Sequence, residues 1–342
     1  MLPIFDGHND ALTCEDHTAL ASGRGGGHLD LPRMARGGMR GGIFAVFTPS
    51  PEERSGLLGF GDGKQKATPK PVGHEDAAAH ATKVAGRLLR LERERRVRLA
   101  RTIADVDAAR DQPSSPPVAV LHLEGAEAID PELEALEQWY ASGLRSLGPV
   151  WSRANAFAHG VPFAFPSSPD IGPGLTDAGR KLIGRCAELG ILVDLSHMNE
   201  AGFWDVARLE AGPLVASHSG AHALCAASRN LTDAQLDAIG ASGGLVGIVF
   251  ATPFLRADFG NAPETPLDLI VEHARYVAER IGARHVALGS DFDGATIPAA
   301  LADAAGLPRL VDALRQAGFG EGELEAICWG NWRRTLAAWW RD

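Results

Sequence analysis

The sequence predicts an α/β fold, a (β/α)8 TIM-type barrel with a C-terminal helical extension, and three observations carry that expectation. Short, almost continuously apolar runs bounded by Gly or Pro recur eight times, as strands covered on both faces require. Helical patterns with recognisable caps alternate with them. The length of 342 residues suits one such barrel with insertions, a fold that typically runs from about 200 to over 400 residues. A doubly wound sheet is the alternative arrangement of the same alternation. Without internal repeats, 1–342 reads as a single domain.

In chain order the strand candidates are 3–8 (PIFDGH), 42–48 (GIFAVFT), 118–124 (VAVLHLE), 144–150 (LRSLGPV), 191–196 (ILVDLS), 214–218 (LVASH), 244–250 (GLVGIVF) and 286–291 (VALGSD). Between them, 74–110 opens on an acidic turn and is rich in Ala, Leu, Arg and Glu, which predicts one long helix. Further helices are expected at 131–142 after Pro131, at 176–189 with Thr176 as N-cap and at 199–210 with Asn199 as N-cap. The T-D-A-Q capping box at Thr232 starts 232–241, and Pro266 precedes 266–282. The tail, 307–340, reads as two or three helices, its Trp339–Trp340 pair packed, and the Arg-rich 93–98 as a solvated helical face. The stretch 49–73 is rich in Gly, Pro, Lys and Ser and has no periodicity, so a loop on the functional rim or a homodimer contact is expected there.

Composition removes several classes of partner. With 33 basic residues against 43 acidic ones, a formal charge of −10 and no dense basic run, neither nucleic acid nor an anionic membrane surface is expected. No apolar run approaches the roughly 20 residues that span a bilayer, and MLPIFDGHND lacks the basic n-region and long h-region of a secretory signal, so a cytoplasmic location is expected. Cys14, Cys186, Cys225 and Cys328 show no CxxC spacing and offer neither a disulfide framework nor a cysteine zinc site.

The chemistry is written at the strand ends. Strand one runs into His8-Asn9-Asp10, strand three into His122-Leu123-Glu124, strand five into Asp194-Leu195-Ser196-His197, strand six into Ser217-His218-Ser219 and strand eight into Ser290-Asp291-Phe292-Asp293. In a parallel barrel these ends share one rim, where such folds place their active sites. His8 and Asp10 are two apart, so the pleat points both into the barrel mouth. Imidazoles and carboxylates gathered in one cavity cannot all be charged or left dry, whereas a divalent metal satisfies them, and a nitrogen–oxygen donor set suits zinc. Two metals can share the set if one group bridges them. A carbamylated lysine is one known bridge, but Lys64, Lys66, Lys70, Lys83 and Lys181 all fall outside the expected strands, leaving Glu124 as the strand-end candidate. Asp6 is expected to be structural and His122 to lie one layer deeper. His17, His28, His74, His80, His273 and His285 are given no role, and His222 a loop role.

As an ordered set, DGHND at 6–10, LEGA at 123–126, LVDLSHM at 192–198, SHS at 217–219, SRNLTD at 228–233, GSDFDG at 289–294 and GNWRR at 330–334 resemble the membrane (renal) dipeptidase family, binuclear zinc peptidases of the amidohydrolase superfamily. The resemblance implies two Zn2+ ions, with His8 and Asp10 on one, His197 and His218 on the other and Glu124 bridging. It also implies Asp291 as general acid/base and Arg229 as the clamp on a substrate's terminal carboxylate. One departure is visible. Where the family carries a substrate-contacting His at the end of strand four, R-S-L-G-P-V-W-S-R-A-N puts Trp151, so His159 swinging back, or Trp151 with Arg153, is expected to shape the pocket instead. The expected activity is hydrolysis of the amide bond of dipeptides, with a D-residue admissible at the C-terminal position. A lactam, lactone or N-acyl amino acid amidohydrolase and a non-catalytic metal-binding barrel are the alternatives.

Overall fold

A computed structural model describes residues 1–50, 60–61, 64–65, 69–112 and 114–341. Among these, eight parallel strands build the barrel: β1 Ile4–Asn9, β2 Met39–Phe47, β3 Val118–Glu124, β4 Leu144–Gly148, β5 Leu192–Val193, β6 Val215–Ser219, β7 Leu245–Ile248 and β8 Val286–Leu288. They form two hydrogen-bonded arcs, β1-β2-β3-β4-β5 and β6-β7-β8. The first arc holds the longest ladder, seven consecutive partners from Gly41–Val118 to Phe47–Glu124. Single parallel bridges, Asn9–Phe292 and Asp194–Val215, join the arcs and close the ring. All residues of β1, β3, β6, β7 and β8 are buried, which explains their unbroken apolar patterns.

The helices lie between successive strands, and their expected caps are present. Thr176 accepts from Gly179 N–H at 3.0 Å, Asn199 from Gly202 N–H at 2.9 Å, and Thr232 and Gln235 form the reciprocal capping box. The long helix expected over 74–110 is two helices, His74–Arg93 and Ile103–Asp111. Between them Arg95 takes φ +56°, and Arg98–Leu99 pairs with the first residues of β3. Alternating Val97 and Leu99 burial and a Thr102–Asp105 capping box favour that break over continued helix. The Arg-rich turn is thus solvated, as expected, but not helical.

Most of 49–73 falls outside the described residues, and with it the expected rim loop or dimer contact. Phe60–Gly61 and Lys64–Gln65 pair as a short antiparallel hairpin, so one lysine does stand on a strand, although outside the barrel. The tail forms Leu307–Gln316, Glu321–Glu325, a π-helical turn at Ala326–Gly330, and Asn331–Trp339. Its aromatic side chains fasten it to the barrel: Trp332, Trp339 and Trp340 donate their indole N–H groups to the carbonyls of Leu288, Pro213 and Arg145 at 2.9, 3.0 and 3.1 Å. The four cysteines are unpaired, three of them buried. No helix among the described residues is long and apolar enough to cross a membrane.

Candidate metal centre

The strand ends meet as the pleat requires. His8 and Asp10 leave β1, Glu124 ends β3, His197 follows β5 and His218 lies in β6; all five are at most 6% exposed. The Glu124 Oε1 atom lies 2.9 Å from His197 Nε2 and 3.6 Å from both His8 Nε2 and His218 Nε2. His8 Nε2 is also 3.6 Å from Asp10 Oδ2, and the His197 and His218 Nε2 atoms are 3.1 Å apart. Overlapping triads of donor atoms, each within 4.8 Å of one another, follow: His8–Asp10–Glu124, Glu124–His197–His218, His8–His218–Asp291 and His8–His122–Asp194.

Neighbouring side chains orient two of these rings, and at His218 a hydroxyl sets the tautomer. Ser217 donates to Asp194 Oδ2 at 2.5 Å and so accepts from His218 Nδ1 at 2.8 Å, leaving the Nε2 lone pair facing Glu124. Ser152 Oγ lies 2.8 Å from His197 Nδ1, which also accepts from Arg229 Nε at 3.2 Å, so both groups hold that ring in place. Both nitrogens of His8, Asp10 Oδ1 and His122 Nε2 are buried without a hydrogen-bond partner, a state native interiors seldom tolerate unless another ligand completes them.

The electrostatics ask for a cation. Burial pushes the Glu124 carboxyl well above its usual range. Burial also works against protonating His8, but Glu124 and Asp10 outweigh it and push its pKa up to about 10. Burial, then Arg229 at His197 and His8 at His218, holds both rings well below the usual imidazole range, in the neutral form a metal requires. Asp291 lines the cavity, partly exposed, its pKa raised to about 6 by burial and by Asp10. Gly294 makes this crowding possible, since a Cβ there would lie 2.2 Å from Asp10 Oδ2 and 2.5 Å from Asp291 Oδ1.

Above these groups opens a cavity of about 1060 Å³ whose walls include Asp10, Glu124, His197, Arg229 and Asp291. Arg229 is 3% exposed, its Nη2 at 3.1 Å from His197 Nε2 and its Nη1 donating to Ser219 Oγ at 3.2 Å. Burial lowers its pKa to about 10. No carboxylate lies within ion-pair distance of it among the described residues. Trp151 is a cavity wall, its ring centroid 4.9 Å from Phe47, 5.5 Å from Phe163 and 5.8 Å from His197. Arg153 stands behind it, 5.3 Å from the Trp151 ring and paired with Glu127 at 2.8 Å. His159 is half-buried, bridged through its backbone to Ala154, and is not among the residues lining the cavity, so the structure does not bring it to the position of the missing histidine.

Asp6 accepts from the Ser290 N–H and Oγ at 2.7 and 2.9 Å, tying β1 to the end of β8 as a structural residue does. His122 sits below the mouth, its Nδ1 2.9 Å from Ser146 Oγ and its Nε2 3.8 Å from Asp194 Oδ2. His222 holds a loop through Ser167 O at 2.9 Å. Sequence reasoning missed His28 and His80, which both line the cavity, and Ser152, which reaches His197 from the loop after β4. Only Asp293, two residues after Asp291 in GSDFDG, carried a local signal.

The sequence profile of the family described as Membrane dipeptidase (Peptidase family M19) matches residues 1–339. A Klebsiella pneumoniae protein from the pqqA 5′ region is 50% identical over 247 residues, covering 72% of this chain and 90% of that protein. The crystal structure of a metallo peptidase from Rhodobacter sphaeroides, liganded with a phosphinate mimic of the dipeptide L-Ala-D-Ala, is similar with a TM-score of 0.93 and 44% identity over 99% of both chains. That of a metallo peptidase named dipeptidase AC gives 0.92 and 45%, again over 99% of both.

Proposed function

Because the chain belongs to the membrane dipeptidase family, a family of metallopeptidases that makes it a metallo-dipeptidase, we propose that its site holds two zinc ions and cleaves dipeptides with a free C-terminal carboxylate. The observation that carries this reading is Arg229, a buried guanidinium without a carboxylate partner among the described residues, set against the His197–His218 pair. A dipeptide's terminal carboxylate supplies the missing charge, and the planar fork suits it bidentately. The unpartnered His8 nitrogens and Asp10 Oδ1 fit the metals. His8 and Asp10 would hold one, His197 and His218 the other, with Glu124 shared between them. Divalent cations bound there supply Lewis-acid polarisation of a carbonyl and bring the pKa of water toward neutrality.

The chain's own groups do the rest. Asp291, on the cavity wall, takes the proton of the water that attacks the carbonyl carbon and delivers it to the leaving amine as the C–N bond breaks. Ser217 and Ser152 fix the rings of His218 and His197. Arg229 sets the distance between carboxylate and scissile bond, which excludes long peptides. Trp151 offers an apolar face where a polar donor would stand, so carbonyl polarisation falls to the metals. The ligand of the Rhodobacter protein supports a D-residue at the C-terminal position. The test is turnover by zinc-loaded and metal-stripped protein on a panel of L,L and L,D dipeptides, N-acyl amino acids, lactams and lactones. Zinc-dependent cleavage of dipeptides with the L,D set preferred is expected, whereas turnover confined to lactones or lactams would overturn the reading.

A further inference from the structure

The loop that carries Asp291 is held in an unusual backbone state. Asp291 and Asp293 have φ values of +58° and +70°, in the left-handed region that residues with a Cβ rarely occupy. Such conformations persist where the surroundings over-determine them. On one side the surroundings are β1: Asp291 N–H donates to His8 O at 3.0 Å, and Asp10 N–H to Phe292 O at 2.8 Å.

On the other side stands a glycine-rich arm, residues 23–30, far away in sequence. Arg24 Nη1 donates to Asp293 Oδ2 at 2.6 Å, with only 4% and 2% of the two side chains exposed. The His28 N–H donates to Asp293 Oδ1 at 2.7 Å, and Asp293 returns its own N–H to His28 Nδ1 at 3.0 Å. Arg24 is itself fixed by Asp16 at 2.7 Å and by Leu29 O at 3.0 Å. Gly27, at φ +69°, lets the arm close: a Cβ there would lie 2.4 Å from Arg24 Nη2 and 2.5 Å from Asp293 Oδ1. Both the carboxylate and the amide of Asp293 are thereby gripped, two residues from Asp291.

We propose that Arg24, His28 and Asp293 are positioning residues, a clamp that holds Asp291 in its left-handed conformation and so sets where its carboxyl meets the substrate. This rests on the proton-transfer role proposed above for Asp291. The arrangement differs from a purely structural tie in one respect: its effect on rate passes through a single side chain, so removing that side chain removes the effect.

The experiment uses the full-length zinc-loaded enzyme with L-Ala-D-Ala. The variants are Arg24→Gln, His28→Ala, His28→Asn and the pair Arg24→Gln/Asp293→Asn, which leaves no buried charge unpaired, each made alone and with Asp291→Asn. Clamp variants should lose on the order of tenfold to a hundredfold in kcat, as small misplacements of a reacting group do. Metal content and KM should stay near those of the wild type, and amide exchange over 290–294 should quicken. In the Asp291→Asn background the same changes should cost less than about twofold, because residues acting as one unit are not additive. His28→Asn, whose amide oxygen can accept in place of Nδ1, should recover much of the His28→Ala loss.

Losses that multiply with Asp291→Asn, that follow metal content, or that are absent from the paired variant would overturn the clamp alone. A wild-type kcat for Asp291→Asn would overturn the proton role and the clamp together.

Discussion

Amidating the C-terminus of a dipeptide removes the charge that Arg229 is proposed to meet while leaving the scissile bond unchanged. Burial holds this guanidinium at about 10 against an ordinary 12.5, even with Asp291 and Glu124 in the same cavity. At about 1.4 kcal/mol per pH unit, that difference corresponds to an unmet charge cost of about 3 kcal/mol. A bound carboxylate that recovers it is worth a factor on the order of 10² in kcat/KM, inside the roughly 2–5 kcal/mol typical of a truncated buried charge pair. The assay compares kcat/KM for L-Ala-D-Ala, its C-terminal amide and a tripeptide extended at the C-terminus, on one zinc-loaded preparation. Free acid should lead both by about a hundredfold. The control is Arg229→Met, which should bring acid and amide within a fewfold of each other whatever its absolute rate. Comparable turnover of acid and amide by the wild type would refute the carboxylate clamp and move the preferred substrate to a lactone or lactam.

Other expectations follow from the same geometry. Elemental analysis should find two metal equivalents per chain, and His197→Ala or His218→Ala should lose one of them and nearly all turnover with an unchanged circular dichroism spectrum; one equivalent in the wild type contradicts the shared Glu124. Asp291→Asn should keep its metals and lose about 10²- to 10⁴-fold in kcat, the usual worth of a positioned proton transfer. Gly294→Ala should fold yet bind metal poorly, because its Cβ would crowd Asp10 Oδ2 at 2.2 Å; full metal content would contradict that crowding. His273, buried against the Ala221 N–H at 2.9 Å, has its pKa lowered by burial from 6.5 to about 4. The unfolded chain therefore binds the extra proton first, so the stabilisation is complete above pH 6.5 and is lost as pH falls toward 4, by about 3 kcal/mol. Urea unfolding at pH 7 and 4.5 should show that His273→Gln loses less stability on acidification than the wild type, and equal losses would exclude His273 as the cause.

Legibility in the sequence followed the range of the interaction. The barrel strands were readable because burial on both faces makes them continuously apolar, and the placing of His8, Asp10, Glu124, His197 and His218 at one mouth follows from the pleat and from parallel order. Caps at Thr176, Asn199 and Thr232 were readable because the bond is made within three residues. The break after Arg93 was hidden by helix-forming composition, and only the buried alternation of Val97 and Leu99 betrays the short strand. His28 carried no signal: its partner Asp293 lies 265 residues away, and only the closed fold brings them together. The same holds for Ser152 and His197, 45 residues apart. His159 stands close to Trp151 in sequence, but it is not among the residues lining the cavity.

The two single bridges that close the ring have a mechanical consequence. Asn9–Phe292 is flanked by His8 and Asp10 on one side and by Asp291 and Asp293 on the other, while Asp194 and Val215 lie three residues before His197 and His218 respectively. Every weak join in the wall is thus a place where the site draws residues from both arcs. Of the cations held as proposed, the one between His197 and His218 would act as a rivet, fastening the β1–β5 half to the β6–β8 half at the join between β5 and β6. Chelation should then loosen that join before it loosens either half, and amide exchange should rise first at Leu195, whose N–H bonds across it to Val215 O at 2.8 Å.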